Sequence, residues 1–138
     1  MSVGFVVRDE YYSVGSGDFL YSFFSTIACN LENGDWGSKY PYIMNELYRG
    51  ELEVESAKEC LAELENIRNE LKKYLPDKVV WDIDDLSKRP PWGDNISADI
   101  TDLSNYFVTN EGEDFIEVLK EALEKTLELK EKLLIEAM

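Results

Sequence analysis

The period of apolar positions changes several times along the chain, and each change predicts an element. Residues 3–7, Val-Gly-Phe-Val-Val, are short, β-branched and aromatic, which predicts a strand. Gly4 within it marks a bulge or a close backbone approach. Residues 8–12 and the Ser-Val-Gly-Ser-Gly-Asp run over 13–18 read as a connection, with Ser16 or Asp18 placed to cap a following helix through a side-chain oxygen. Leu20, Phe23, Phe24, Ile27 and Leu31 then recur at helical spacing, and Asn33-Gly34 supplies a stop. A first helix is expected over 18–32, burying an aromatic-rich face.

Residues 35–41 form a turn-rich connection, and a short helix is expected over 41–48, between Pro41 and Gly50. Ser56 and Glu59 have capping-box spacing. Behind them Ala57, Cys60, Leu61, Leu64, Ile67, Leu71 and Leu75 mark a long amphipathic helix that Pro76 cannot continue. Residues 79–83 read as a second strand on Val79, Val80 and Trp81. From 84 to 100 regular periodicity fails, because Arg-Pro-Pro-Trp-Gly-Asp over 89–94 forbids helix and ladder alike. Long ordered loops are uncommon in compact domains unless they carry function. A third strand over 106–109, a turn over 110–112 and a last helix over 114–137 complete the reading, with Glu121–Lys125 and Glu128–Lys132 as four-residue pairs on its wet face. The fold class expected is α+β: two long and two short helices packed against a small sheet of about three strands, in one domain spanning 1–138.

Composition narrows the chemistry. The chain of 138 residues contains no histidine, which excludes Ser–His and Cys–His catalysis and removes the commonest zinc ligand. Cys29 and Cys60 fall in expected helices and are read as buried free thiols rather than a disulfide framework. No apolar run approaches the roughly 18 residues of a membrane span, and no leader pattern opens the chain, so a soluble cytoplasmic protein is expected.

Charge changes the picture most. Fourteen basic residues stand against 29 acidic ones, a net −15. Residues 76–114 hold 10 acids and 3 bases, and so contribute −7 of that excess from little more than a quarter of the length. Such a balance repels phosphate backbones and anionic membranes, so neither nucleic acid nor a membrane is expected as a direct partner, and a basic protein is favoured. The Gly-Ser-Gly-Asp run resembles an anion loop but lacks its lysine, and Asp18 opposes an anion, so a plain helix-start turn is the simpler reading. Asp82, Asp84 and Asp85, with Asp94, Asp99 and Asp102 downstream, admit three readings: solvated loop carboxylates, a hard-cation or acid–base site, and a charge-complementary contact surface. The spacing matches no calcium loop, and no metal or cofactor is expected. Trp36 and Trp92 stand in turn-rich segments, where each either plugs its loop onto the core or serves as a binding anchor.

The runs over 15–25 (Gly-Ser-Gly-Asp-Phe-Leu-Tyr-Ser-Phe-Phe-Ser), 36–41 (Trp-Gly-Ser-Lys-Tyr-Pro), 90–94 (Pro-Pro-Trp-Gly-Asp) and 101–109 (Thr-Asp-Leu-Ser-Asn-Tyr-Phe-Val-Thr) resemble the immunity protein 70 family of bacterial polymorphic toxin systems, over nearly the whole chain. The resemblance implies a small cytoplasmic protein that binds and neutralises a cognate toxin, often one with a nuclease-like C-terminal domain. It implies no catalytic residues. An acidic chain without an active-site constellation suits that task on its own account, through occlusion of a basic surface. The candidate contact residues are Asp82, Asp84, Asp85, Trp92 and Asp94, with Trp36 and Tyr40 as a second locus. A metal-binding or enzymatic module built on the aspartates around residue 82, and a structural adaptor, are the alternatives.

Overall fold

A computed structural model describes residues 2–137. Among these, a four-stranded antiparallel sheet, with strands β1 (Ser2–Val7), β2 (Glu10–Ser16), β3 (Glu51–Leu52) and β4 (Leu133–Ala137) in the order β2-β1-β4-β3, packs against three α-helices. Strand β1 (Ser2–Val7) turns through Arg8, at φ 54°, into β2 (Glu10–Ser16). The β1–β2 register shifts between Val3 and Gly4, the irregularity that Gly4 signals in the sequence. Residues 10–16 are thus a strand and not a connection. As an edge strand with an exposed Tyr11, β2 lacks the apolar alternation of a half-buried one.

Helix α1 (Gly17–Leu31) starts as expected, with Ser16 Oγ accepting from Phe19 N at 3.0 Å. A π-helical segment, Tyr42–Leu47, occupies the place of the expected short helix, and the two-residue strand β3 (Glu51–Leu52) follows. Helix α2 (Val54–Leu71) begins before the expected capping box. Ser56 instead donates to Glu46 Oε1 at 2.9 Å, and the cap residue Glu53 makes no side-chain cap bond. The helix also stops a turn short of Leu75, which is 65% exposed. Helix α3 (Phe115–Leu129), capped by Asp114, ends where Lys130 takes a left-handed φ of 56°.

The expected helix over 114–137 is therefore two elements. Residues Leu133–Ala137 form β4, inserted between β1 and β3. Leu129 and Leu133 are spaced for a helix, but pairing on both edges satisfies the backbone of 133–135 better than a fraying helix end does. Lys132 consequently pairs with Glu51 at 2.9 Å, and Lys125 with Glu128 at 3.0 Å, in place of the expected four-residue pairs.

The expected strands over 79–83 and 106–109 are absent. The first is held by side chains of α1, and the second makes a single bridge, Val108 with Asp114. The core is aromatic: Phe23 lies 4.5 Å from Phe115 and 5.4 Å from Phe107, ring centre to ring centre, with Phe5 and Phe19 against Phe115. This cluster joins the sheet to α1 and α3, and it seats the long segment 72–114 through Phe107.

Candidate partner-binding face

Ser22, Ser25, Thr26 and Asn30 recur on one side of α1, and the first three are fully buried in an otherwise apolar helix. Their partners lie in the acidic segment. Ser22 Oγ and Thr26 Oγ1 donate to Val80 O at 2.8 and 3.2 Å, and Thr26 Oγ1 accepts from Val80 N at 3.0 Å. Ser25 Oγ accepts from Ile83 N at 3.2 Å, and Asn30 Nδ2 donates to Lys78 O at 2.9 Å. These groups satisfy the backbone of 78–83 where a sheet neighbour was expected, and they fix the aspartates that follow. Hydroxyls at helical spacing inside an aromatic helix are a signal that the sequence reading passed over.

The aspartates divide by what they already bind. Asp82 accepts from Asp84 N at 2.8 Å and pairs with Lys88 at 3.6 Å. Asp84 accepts from the Tyr21 hydroxyl at 2.6 Å. Burial, reinforced by that carboxylate, holds the Tyr21 phenol far above its ordinary pKa, so Tyr21 stays a donor at any physiological pH. Asp85 accepts from Ser87 Oγ at 2.5 Å and Ser87 N at 3.1 Å, bonds that hold its carboxyl below the usual range. Asp94 is exposed and, among the described residues, has no side-chain partner.

Tyr21 also joins the two candidate loci. Its ring stacks on Trp36 at 5.9 Å, and Trp36 meets Tyr48 edge-on at 4.9 Å. Trp36 is half-buried and anchored by Nε1 to Met44 O at 2.7 Å, so it plugs its loop while leaving an edge beside Tyr48, which is exposed. Tyr40 is different: at 2% exposure it presents nothing to a partner. Its hydroxyl donates to Asn66 Oδ1 at 2.6 Å, and burial pushes its pKa up to about 12. The loop beneath it is organised by the buried carboxylate of Glu32, which accepts from the backbone N–H groups of Gly37, Lys39 and Tyr40, each at 2.9 Å. Gly37 there has φ 82°, and a Cβ on it would lie 2.4 Å from Asn45.

Trp92 lies near the middle of the acidic segment, 38% exposed. It packs edge-on to Trp81 at 5.4 Å, and its Nε1 donates to the Tyr106 hydroxyl at 2.9 Å. Beside it opens a groove of about 550 Å³ between the 3₁₀ turn Pro76–Lys78 and residues 89–96. The exposed carboxylates thus stand in two places, Asp84 beside the Tyr21–Trp36 stack and Asp94 beside the groove next to Trp92. Among the described residues no group of three or more Cys, Asp or Glu is placed to hold a metal ion, and no helix is long and apolar enough to cross a membrane.

A family model described as Immunity protein 70 matches residues 5–135. The chain belongs to that family. The match covers every element of the fold except the ends of β1 and β4, and it includes the whole acidic segment. It places the chain among the immunity proteins of toxin systems. No curated protein and no solved structure gives a significant match. Within this Immunity protein 70 fold, Asp84 is joined through Tyr21 to Trp36, whereas Asp94 and Trp92 stand beside the groove, so the exposed candidate residues fall into two groups and Tyr40 lies in neither.

Proposed function

We propose that this chain binds a cognate bacterial toxin, of the nuclease type, and neutralises it by covering a basic surface. It acts in the cytoplasm as a single non-catalytic domain. The observation that carries the reading, beyond family membership, is that Asp84 and Asp85 are exposed directly after a stretch, residues 78–83, whose backbone is bonded to α1, while Asp94 is exposed close to Trp92, itself braced on Trp81 and Tyr106. Carboxylates fixed in this way lose little entropy on binding and present a negative field to a surface evolved for phosphate. Asp82 supports the neighbouring turn, and Trp36 and Trp92 supply apolar edges near Asp84 and Asp94 respectively.

Co-expression with a candidate toxin from a neighbouring gene tests the reading. The triple variant Asp84→Asn, Asp85→Asn, Asp94→Asn keeps an acceptor oxygen for Tyr21 and for Ser87, so its melting curve should follow the parent's closely. Protection should nonetheless fall sharply. A triple variant that folds normally and protects as well as the parent refutes the assignment of the face. Trp92→Ala should impair both protection and stability, because its ring also packs on Trp81.

A further inference from the structure

We propose that the groove beside Trp92 is an anchor site for one lysine or arginine side chain of the protein partner. This rests on the toxin-binding reading above and specifies it. The loop aspartates 82, 84, 85, 99 and 102 all have intramolecular partners: Lys88, Tyr21, Ser87, Ser97 and Ser104. Asp77 and Asp94 have none among the described residues, and both line this groove, one from the 3₁₀ turn and one from the 89–96 segment.

Between those carboxylates the floor is apolar. Val79 and Ile96 are half-buried and Tyr106 is buried, a surface suited to the aliphatic stem of a long basic side chain whose charge stays at the rim. At about 550 Å³ the space takes such a side chain and its neighbours. Pro76, Pro90 and Pro91 restrict the walls, and the Trp92–Tyr106 hydrogen bond ties the floor to the exposed tryptophan, so little ordering remains to be lost on binding. A second copy of this chain is a poor occupant, since each copy carries −15.

Arg89 lines the same groove, exposed and, among the described residues, without an ion pair. It supplies a test of sign. A cationic occupant is repelled by Arg89 and attracted by Asp77 and Asp94, whereas an anionic occupant reverses both effects.

Titration calorimetry with this 138-residue chain and a purified candidate toxin domain from a neighbouring gene reads these effects. Asp77→Asn with Asp94→Asn should weaken binding by about tenfold or more, and Arg89→Gln should tighten it by about threefold. Asp9→Asn with Glu59→Gln, an equal charge change at exposed sites elsewhere, should shift affinity by less than about threefold. The two single variants, Asp77→Asn and Asp94→Asn, serve as folded substitutes if the double variant melts early. A groove variant that binds no worse than the Asp9/Glu59 control, or an Arg89→Gln variant that binds more weakly, overturns the anchor site and leaves the toxin-binding reading standing. A parent chain that binds no toxin overturns both.

Discussion

Thr26→Val isolates the link between the core and the acidic segment. The substitution preserves shape and replaces one hydroxyl by a methyl group, at a position that is fully buried. Two bonds disappear. The 3.2 Å bond to Val80 O matters less, because that carbonyl keeps Ser22 Oγ at 2.8 Å. The 3.0 Å bond from Val80 N is the larger loss, since it strands a donor against the helix at about 1–3 kcal/mol. A total of about 2–3 kcal/mol is expected, a substantial share of the 5–15 kcal/mol typical of a folded domain but not enough to unfold it. For a chain of this size that corresponds to a melting temperature lower by roughly 5–10 °C. Urea denaturation measures the stability, and amide exchange of Val80 reports whether the latch itself has opened. Exchange at Val80 should accelerate more than exchange in β1. A loss under about 0.5 kcal/mol with Val80 still protected would refute the claim that α1 hydroxyls hold this segment.

Two further outcomes follow from packing and charge. Leu64→Ala empties a buried position on the α2 face that meets α3, and should cost about 2–5 kcal/mol by chemical denaturation; a negligible change would mean that this face is not packed. Ser87→Ala removes the main bond that depresses the Asp85 carboxyl, so its pKa, followed by NMR titration, should rise toward the ordinary value of about 4. Because the folded value is the lower one, the stabilisation linked to Asp85 is present above the unfolded carboxyl pKa and is lost as pH falls through the folded one. The Ser87→Ala protein should show less of that acid sensitivity.

Local chemistry was legible where it acts locally. Val-Gly-Phe-Val-Val reads as a strand with a bulge at Gly4, Ser16 caps α1, and Arg-Pro-Pro-Trp-Gly-Asp breaks regular structure because the prolines remove donors and restrict their neighbours. Elements decided by tertiary pairing were not legible. Leu133 continues the helical spacing of Leu129, and only the vacancy between β1 and β3 turns 133–137 into a strand. Val79 and Val80 favour a strand, yet the hydroxyls of α1 take up their backbone. The Ser56–Glu59 spacing is that of a capping box, but α2 already begins at Val54. In the site, composition reveals the acidic segment but not which carboxylates are already satisfied. That depends on Tyr21, Ser87 and Lys88, two of them adjacent in sequence and one contributed by α1. Tyr40 shows the opposite error: an aromatic residue in a turn-rich run looks exposed until the Glu32 carboxylate folds that run inward.

The central claim is that a fixed acidic surface recognises a basic toxin, and the rate of association tests it most directly. The purified chain and a candidate toxin domain from a neighbouring gene are mixed in a stopped-flow instrument at increasing salt. Electrostatic steering predicts a fast association whose rate falls steeply as the screening length shrinks from about 10 Å at 0.1 M toward 3 Å at 1 M, with a shallower fall for the variant lacking Asp84, Asp85 and Asp94. Absence of a complex, or an association rate indifferent to salt, would contradict the account.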